Sequence, residues 1–258
     1  MSDQLRFAGI QTSLFWEDIP ANLATLEEKM WQITTPIDVI VLPEMFNTGF
    51  SMNATKLAET LNGHTHKWMK QMAKLKNAAV AGSLIIREDT RFFNRFLWVE
   101  PSGKTYFYNK KNLFSYSGED GVYTKGQDKC IISFKGWNIC PIVCYDLRFP
   151  EWCRNRIIND EYAYDILLCV ANWPSSRIQA WDTLTKARAI ENTSFVFAVN
   201  ITGKDGKNLD YTGHSQACYP SAESFGLETE ESGILYHTFD KKYLTTYRQK
   251  FSFLKDAD

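Results

Sequence analysis

Three ionisable residues of this chain stand where an apolar run gives way to a loop. Glu44 follows Val39-Ile40-Val41-Leu42-Pro43, Lys110 follows Tyr106-Phe107-Tyr108, and Cys144 follows Ile142-Val143. Strand ends of α/β sheets are where ligands usually sit. A carboxylate, an ammonium and a thiol at one sheet edge make a catalytic set. The thiolate attacks a carbonyl carbon, the carboxylate takes the thiol proton, and the lysine lowers the thiol pKa and holds a developing oxyanion. Plainer roles fit each residue singly. Cys144 also reads as a small buried hydrophobe, Glu44 as an acceptor of loop N–H bonds, and Lys110 as a surface lysine.

The elements that must position these residues alternate along the chain. Leu5–Leu14 reads as a buried strand, and Ala21–Ile33 as a helix with Leu23, Leu26, Met30 and Ile33 on one face. Asp38–Pro43 is short enough for a buried parallel strand. Helical spacing over Thr65–Lys76 is followed by strands at Ala78–Arg87 and Phe92–Val99, then a turn at Pro101–Lys104 into Thr105–Tyr108. The second half repeats the rhythm. Strands are expected at Ile131–Phe134, Trp137–Cys144, Asp165–Ala171, Ser194–Asn200, His214–Tyr219 and Ile234–Phe239. Helices are expected at Glu151–Ile158, Gln179–Asn192 and Lys241–Leu254. This is a layered α/β pattern, and two similar halves suggest two facing sheets with helices outside. With no low-complexity linker, residues 1–258 read as a single domain.

Composition narrows the function classes. The chain is 44% hydrophobic with a net charge of -1, enough for a large core and without the basic excess of a nucleic-acid or anionic-membrane binder. No apolar run approaches a membrane span of roughly 20 residues. The start, Met1 to Phe7, lacks the pattern of a signal peptide, so a soluble cytoplasmic protein is expected. The six cysteines show no C-x-x-C pair and no Cys/His spacing of a zinc site, so neither disulfides nor a metal are expected.

Several motifs together resemble the carbon–nitrogen hydrolase (nitrilase) superfamily, across essentially the whole chain. They are Leu42-Pro43-Glu44-Met45-Phe46, Tyr108-Asn109-Lys110-Lys111-Asn112-Leu113-Phe114 and Val143-Cys144-Tyr145-Asp146-Leu147-Arg148-Phe149-Pro150. Supporting matches are Ala171-Asn172-Trp173-Pro174, the run Ala187 to Asn192, and Gly213-His214-Ser215. The resemblance implies a four-layer αββα sandwich of the nitrilase type and a Glu–Lys–Cys triad with no metal or organic cofactor. Glu44 would be general base and later acid, Cys144 the nucleophile and Lys110 the electrostatic partner. Glu119 would be a second glutamate that positions the triad, or else a solvated loop acid. The Tyr145 backbone N–H would complete the oxyanion hole. Two departures stand out: Asn112 where close members often carry histidine, and Tyr219-Pro220-Ser221-Ala222-Glu223 in place of Asn-Pro-x-Gly-Glu. Altered loop packing is expected at the first, and a changed turn at the second.

Within the superfamily the chain looks most similar to the omega-amidases, which hydrolyse the terminal amide of 2-oxoglutaramate and 2-oxosuccinamate. A small-molecule amide is therefore the implied substrate. Such substrates need a cation for the distal carboxylate, and Arg148 is the first candidate. A structural salt bridge from Arg148 to Asp146 or Glu191 is the alternative. Trp173 and Phe46 are expected either to wall the pocket or to be core, and Tyr116 to lie in a lid. Other reactions on the same fold are a carbamoylase, an aliphatic amidase or a nitrilase; a non-catalytic interaction protein is the more distant alternative. The resemblance also implies a homodimer, with Glu151–Ile158 and Gln179–Asn192 as candidate interface helices.

Overall fold

Residues 3–227 and 231–256 are described by the structure, a computed structural model. Side-chain alternation along the strands explains its layers. In Gln4–Gln11, Leu5 and Phe7 enter one buried cluster, while Ala8 and Ile10 enter another. Val39 and Val41 part from Ile40 and Leu42 in the same way. In the second half Ile139 and Val143 join the first cluster, whereas Cys140 and Ile142 face a third. Strands apolar on both faces must be covered on both. Two six-stranded sheets accordingly pack face to face, each with helices on its outer side.

The first sheet runs, edge to edge, Gly233–Asp240, Gln4–Gln11, Val39–Val41, Ala79–Glu88, Arg91–Val99 and Thr105–Asn109. The second runs Ser224–Gly226, Gln216–Cys218, Phe195–Val199, Ile166–Val170, Trp137–Val143 and Ile132–Phe134. Helices Ile19–Trp31 and His64–Lys76 cover the first sheet through Leu23, Leu26, Met30, Trp68, Met69 and Met72. Asp18 caps the former by accepting the Ala21 N–H at 3.0 Å, and Asn77 ends the latter in the left-handed region (φ +48°). Ile178–Glu191 covers the second sheet, with Trp181 fully buried beneath it. The αββα order is the expected one. Among the described residues no helix is long and apolar enough to cross a membrane, and all six cysteines are free thiols.

Several segments differ from expectation for identifiable reasons. Glu151–Ile158 is not one helix: a single turn, Pro150–Cys153, is followed by the hairpin Ile157–Ile158/Glu161–Tyr162. Asn155 ends the helix, because its side chain accepts the Arg156 and Tyr164 N–H groups and donates to the Tyr164 carbonyl. Asn159 and Asp160, both at positive φ, make the tight turn that follows. The first strand stops at Gln11 rather than Leu14, and the C-terminal helix at Lys250, with a 3-10 turn at Phe253–Asp256 beyond it. The hairpin Thr202–Lys204/Asp210–Thr212 was not expected at all. At the second motif departure the turn does form. Tyr219 N donates to the Glu223 carbonyl at 2.8 Å and Ala222 N to the Tyr219 carbonyl at 3.0 Å, with Ala222 at φ +75°.

Candidate active site

Parallel pairing sets the site. Val39–Val41 runs parallel to both its neighbours, and Ile166–Val170 runs parallel to Trp137–Val143 and Phe195–Val199. The C-terminal ends of these strands therefore deliver Glu44, Cys144, Asn172 and Asn200 to one rim. Lys110 arrives there from the end of the edge strand Thr105–Asn109.

Lys110 donates to Glu44 Oε1 at 2.9 Å and to both oxygens of Glu119 at 3.0 Å. All three side chains are 0% exposed. Glu119 is thus a member of the cluster and not a solvated loop acid; its Oε2 also accepts the Phe114 N–H at 2.6 Å. Burial of a carboxylate demands hydrogen bonds, and two asparagines to which no role was assigned from the sequence supply them. Asn94 Nδ2 reaches Glu44 at 2.8 Å and Glu119 at 3.3 Å. The Asn172 N–H donates to Glu44 Oε2 at 2.9 Å, and its side chain to the Glu44 carbonyl at 2.7 Å. An amide side chain inside the apolar strand around Asn94 was the available sequence signal.

The electrostatics follow from this count of charges. Burial opposes the charge on Lys110, but Glu119 and Glu44 outweigh it and hold the ammonium well above its ordinary pKa. Burial raises the Glu119 carboxyl, with Lys110 opposing and Glu44 reinforcing the rise. Burial and the Glu44 charge also lift the Cys144 thiol well above its ordinary value, against the pull of Lys110. A free thiolate would add a third negative charge around one ammonium, so the resting sulfur is protonated.

Cys144 itself sits at φ +46°, in the left-handed region, at the junction of strand Trp137–Val143 and the 3-10 turn Cys144–Arg148. For a non-glycine residue this stores about 1–3 kcal/mol and is a mark of nucleophile turns. Asp146 holds the turn. Its buried carboxylate accepts the Val143 N–H (3.0 Å), the Tyr108 hydroxyl (2.7 Å), and the backbone and side-chain N–H groups of Asn112 (2.8 and 2.9 Å). Asn112 thereby ties the loop after Lys110 to the Cys144 turn. Tyr145, second in the 3-10 turn, has a first-turn N–H without an intrahelical acceptor.

Beside Cys144 opens a cavity of about 490 Å³. Tyr145, Arg148, Trp173 and Tyr116 line it, Tyr116 being 88% exposed. Phe46 does not: it is fully buried beneath the outer helices, 6.0 Å from the Trp68 ring, and Phe50 takes a place in the cavity wall. Arg148 lies 4.8 Å over the Trp173 ring. Neither expected salt bridge forms, because Asp146 is filled by the donors above and Glu191 pairs with Arg188 at 2.9 Å. Among the described residues no group of His, Cys, Asp and Glu could hold a metal ion.

Comparison with known proteins agrees with this geometry. The model of the carbon-nitrogen hydrolase family matches residues 6–249. Omega-amidase YafV of Escherichia coli K12 is 40% identical over 255 residues, 98% of this chain and 97% of that one. A 2-oxoglutaramate amidase of Bacillus subtilis is 31% identical over 222 residues, covering 85% and 84%. A solved carbon–nitrogen hydrolase superfamily protein from Xanthomonas campestris, bearing an arsenic adduct in its active site, superposes with a TM-score of 0.97 at 37% identity. It covers 100% of this chain and 98% of its own. The chain therefore belongs to the carbon–nitrogen hydrolase family and is a hydrolase of amide carbon–nitrogen bonds.

Proposed function

We propose that this protein is an omega-amidase, hydrolysing the terminal amide of 2-oxoglutaramate or 2-oxosuccinamate to ammonia and a 2-oxo dicarboxylate. The observation that carries the reading is the juxtaposition of Cys144 and a buried Glu44–Lys110–Glu119 cluster with Arg148, a pocket cation that forms no ion pair among the described residues. The names of the relatives in E. coli and B. subtilis support the same substrate class.

Glu44 takes the thiol proton as Cys144 attacks the amide carbon. Lys110 and the Tyr145 N–H hold the oxyanion, each such donor accounting for on the order of 10²–10³ in rate. Glu119 keeps Lys110 and Glu44 in register. The tetrahedral adduct breaks its C–N bond as Glu44 returns the proton to the leaving nitrogen, giving ammonia and a thioester. Glu44 then deprotonates water, which displaces the thiol. Arg148 pairs with the distal carboxylate, above Trp173 and under Tyr116.

Each chain works as one domain, and the protein is a cytoplasmic homodimer joined around Pro150–Cys153 and Ile178–Glu191. Ile190, exposed on the latter helix, supports an apolar contact there; light scattering tests it. The decisive experiment is ammonia release from 2-oxoglutaramate, 2-oxosuccinamate, N-carbamoyl amino acids and nitriles by wild-type and Cys144→Ala protein. Turnover of the 2-oxo amides, lost in the variant, is expected. Turnover confined to carbamoyl compounds or nitriles replaces the substrate, and no turnover of any overturns the enzymatic reading.

A further inference from the structure

Arg148 is not alone in the cavity. Arg177, closing the 3-10 turn Ser175–Arg177, lines it from a second side, and Lys207, in the loop of the hairpin Thr202–Lys204/Asp210–Thr212, lies at its mouth. The Arg177 guanidinium lies 5.2 Å over the Phe114 ring, as that of Arg148 lies over Trp173. The Trp173 indole N–H donates to the Arg177 carbonyl at 2.8 Å, which joins the two supports. Stacking on an aromatic face fixes a guanidinium plane and leaves its edge donors for a ligand.

Among the described residues, none of these three cations forms an ion pair. The acid that lines the same cavity, Asp205, is committed to its own hairpin. One oxygen accepts the Lys207 and Leu209 N–H groups at 2.8 and 3.0 Å, and the other the Tyr211 hydroxyl at 3.0 Å. The described wall beyond Cys144 therefore carries three cations against one carboxylate, Asp205, which is already engaged by three donors.

We propose that Arg148 and Arg177 form a clamp that accepts a 2-oxo acid head and rejects its 2-amino analogue, with Lys207 adding charge at the mouth. This rests on the omega-amidase reading. A 2-oxo acid presents only acceptors, a carboxylate and a ketone oxygen, which suit two all-donor guanidinium groups. An amino acid such as glutamine puts an ammonium in place of the ketone. That ammonium would meet two guanidiniums, so like charge works against it. Discrimination between a 2-oxo amide and glutamine thus comes from the sign of one group, not from size.

The test is calorimetric titration of the full Cys144→Ala chain with 2-oxoglutarate and with glutamate, which differ only at C2. Tighter binding of 2-oxoglutarate by at least tenfold is expected. Adding Arg177→Gln should weaken 2-oxoglutarate at least tenfold and shrink the preference below threefold. Equal binding of the two ligands, or affinities unchanged within twofold by Arg177→Gln, overturns the clamp. Should Arg177→Gln fail to fold, Arg177→Lys decides. A loss of threefold or more for 2-oxoglutarate with the preference kept supports the clamp, and unchanged binding overturns it. The omega-amidase reading fails separately, on absent ammonia release by the Cys144-intact enzyme.

Discussion

At one rim of the sandwich an ammonium, Lys110, lies between two carboxylates; at the other, a carboxylate lies between two cations, twice over. Asp38 is held by Arg6 and Lys135, and Asp165 by Lys241 and Arg248. Both acids stand at the N-terminal ends of strands whose opposite ends lead to Glu44 and Asn172. Lys135 comes from the second sheet to an acid of the first, and Lys241 follows the edge strand of the first sheet to an acid of the second, so both clusters staple the sheets. Water screens their surplus charge, since Arg6, Lys135 and Lys241 are 41%, 45% and 31% exposed. The Glu44–Lys110–Glu119 cluster is buried, and burial first, with the Glu44 charge beside it, raises the pKa values of Glu119 and Cys144. Similar ion pairs thus yield reactivity where they are sealed with excess negative charge, and cohesion where they are open with excess positive charge.

Paired substitutions break this contrast most sharply. Glu119→Gln should lower kcat for ammonia release by about 10²-fold, through misplacement of Lys110 and Glu44. Its urea midpoint should barely move, because the change relieves crowding of negative charge around one ammonium. Asp165→Asn should do the reverse: a loss of about 2–4 kcal/mol in urea unfolding, from leaving Lys241 and Arg248 unmatched, with kcat within about twofold. An Asp165→Asn enzyme of full stability, or a Glu119→Gln enzyme of full activity, would remove the distinction between the two rims.

Acid titration sharpens it further. Burial alone would raise the Asp38 carboxyl, but hydrogen bonds from Arg6 and Lys135 outweigh it and hold the pKa at about 2. The folded value lies below the unfolded one of about 3.9. Its contribution is therefore complete above about pH 4 and is lost as pH falls toward about 2. With Arg6 and Lys135 partly solvated, the expected loss is on the order of 1–2 kcal/mol. Asp38→Asn should flatten that part of the stability–pH curve, and an unchanged slope would place the acid sensitivity elsewhere.

The strand ends, and the meeting of Glu44, Lys110 and Cys144 at one rim, were legible in the sequence, because strand ends follow from apolar runs and each of these residues closes one. Glu119 came from the family motif alone; nothing in Gly118-Glu119-Asp120 says that one acid folds inward to Lys110 while its neighbour Asp120 stays exposed. The roles of Asn94 and Asn172 are facts of tertiary pairing: Asn94 meets Glu44 from its own sheet and Glu119 from a loop, and Asn172 meets Glu44 from the opposite sheet. Phe46 failed for a geometric reason. It follows Glu44 by two residues, but Met45 at φ +42° turns the chain, and the ring goes under the outer helices. The hairpin that brings Lys207 and Tyr211 to the cavity has a short, polar, glycine-bearing sequence with no period to read.

Left-handed backbone gives the last and smallest test of the same contrast. Cys144 at φ +46° and Ala222 at φ +75° both occupy a region that disfavours a β-carbon. At Cys144 glycine would relieve the strain only by removing the proposed nucleophile. Ala222 lies exposed in the turn between Gln216–Cys218 and Ser224–Gly226, and its side chain takes no part in the turn's two backbone hydrogen bonds. Ala222→Gly should therefore stabilise the protein, by about 1 kcal/mol: relief of the left-handed penalty exceeds the extra freedom given to the unfolded chain. Thermal unfolding would register this as a rise of a few degrees, with ammonia release unchanged. A fall in midpoint would mean that the alanine is an adaptation of the turn, and that strain at this second site also has a use.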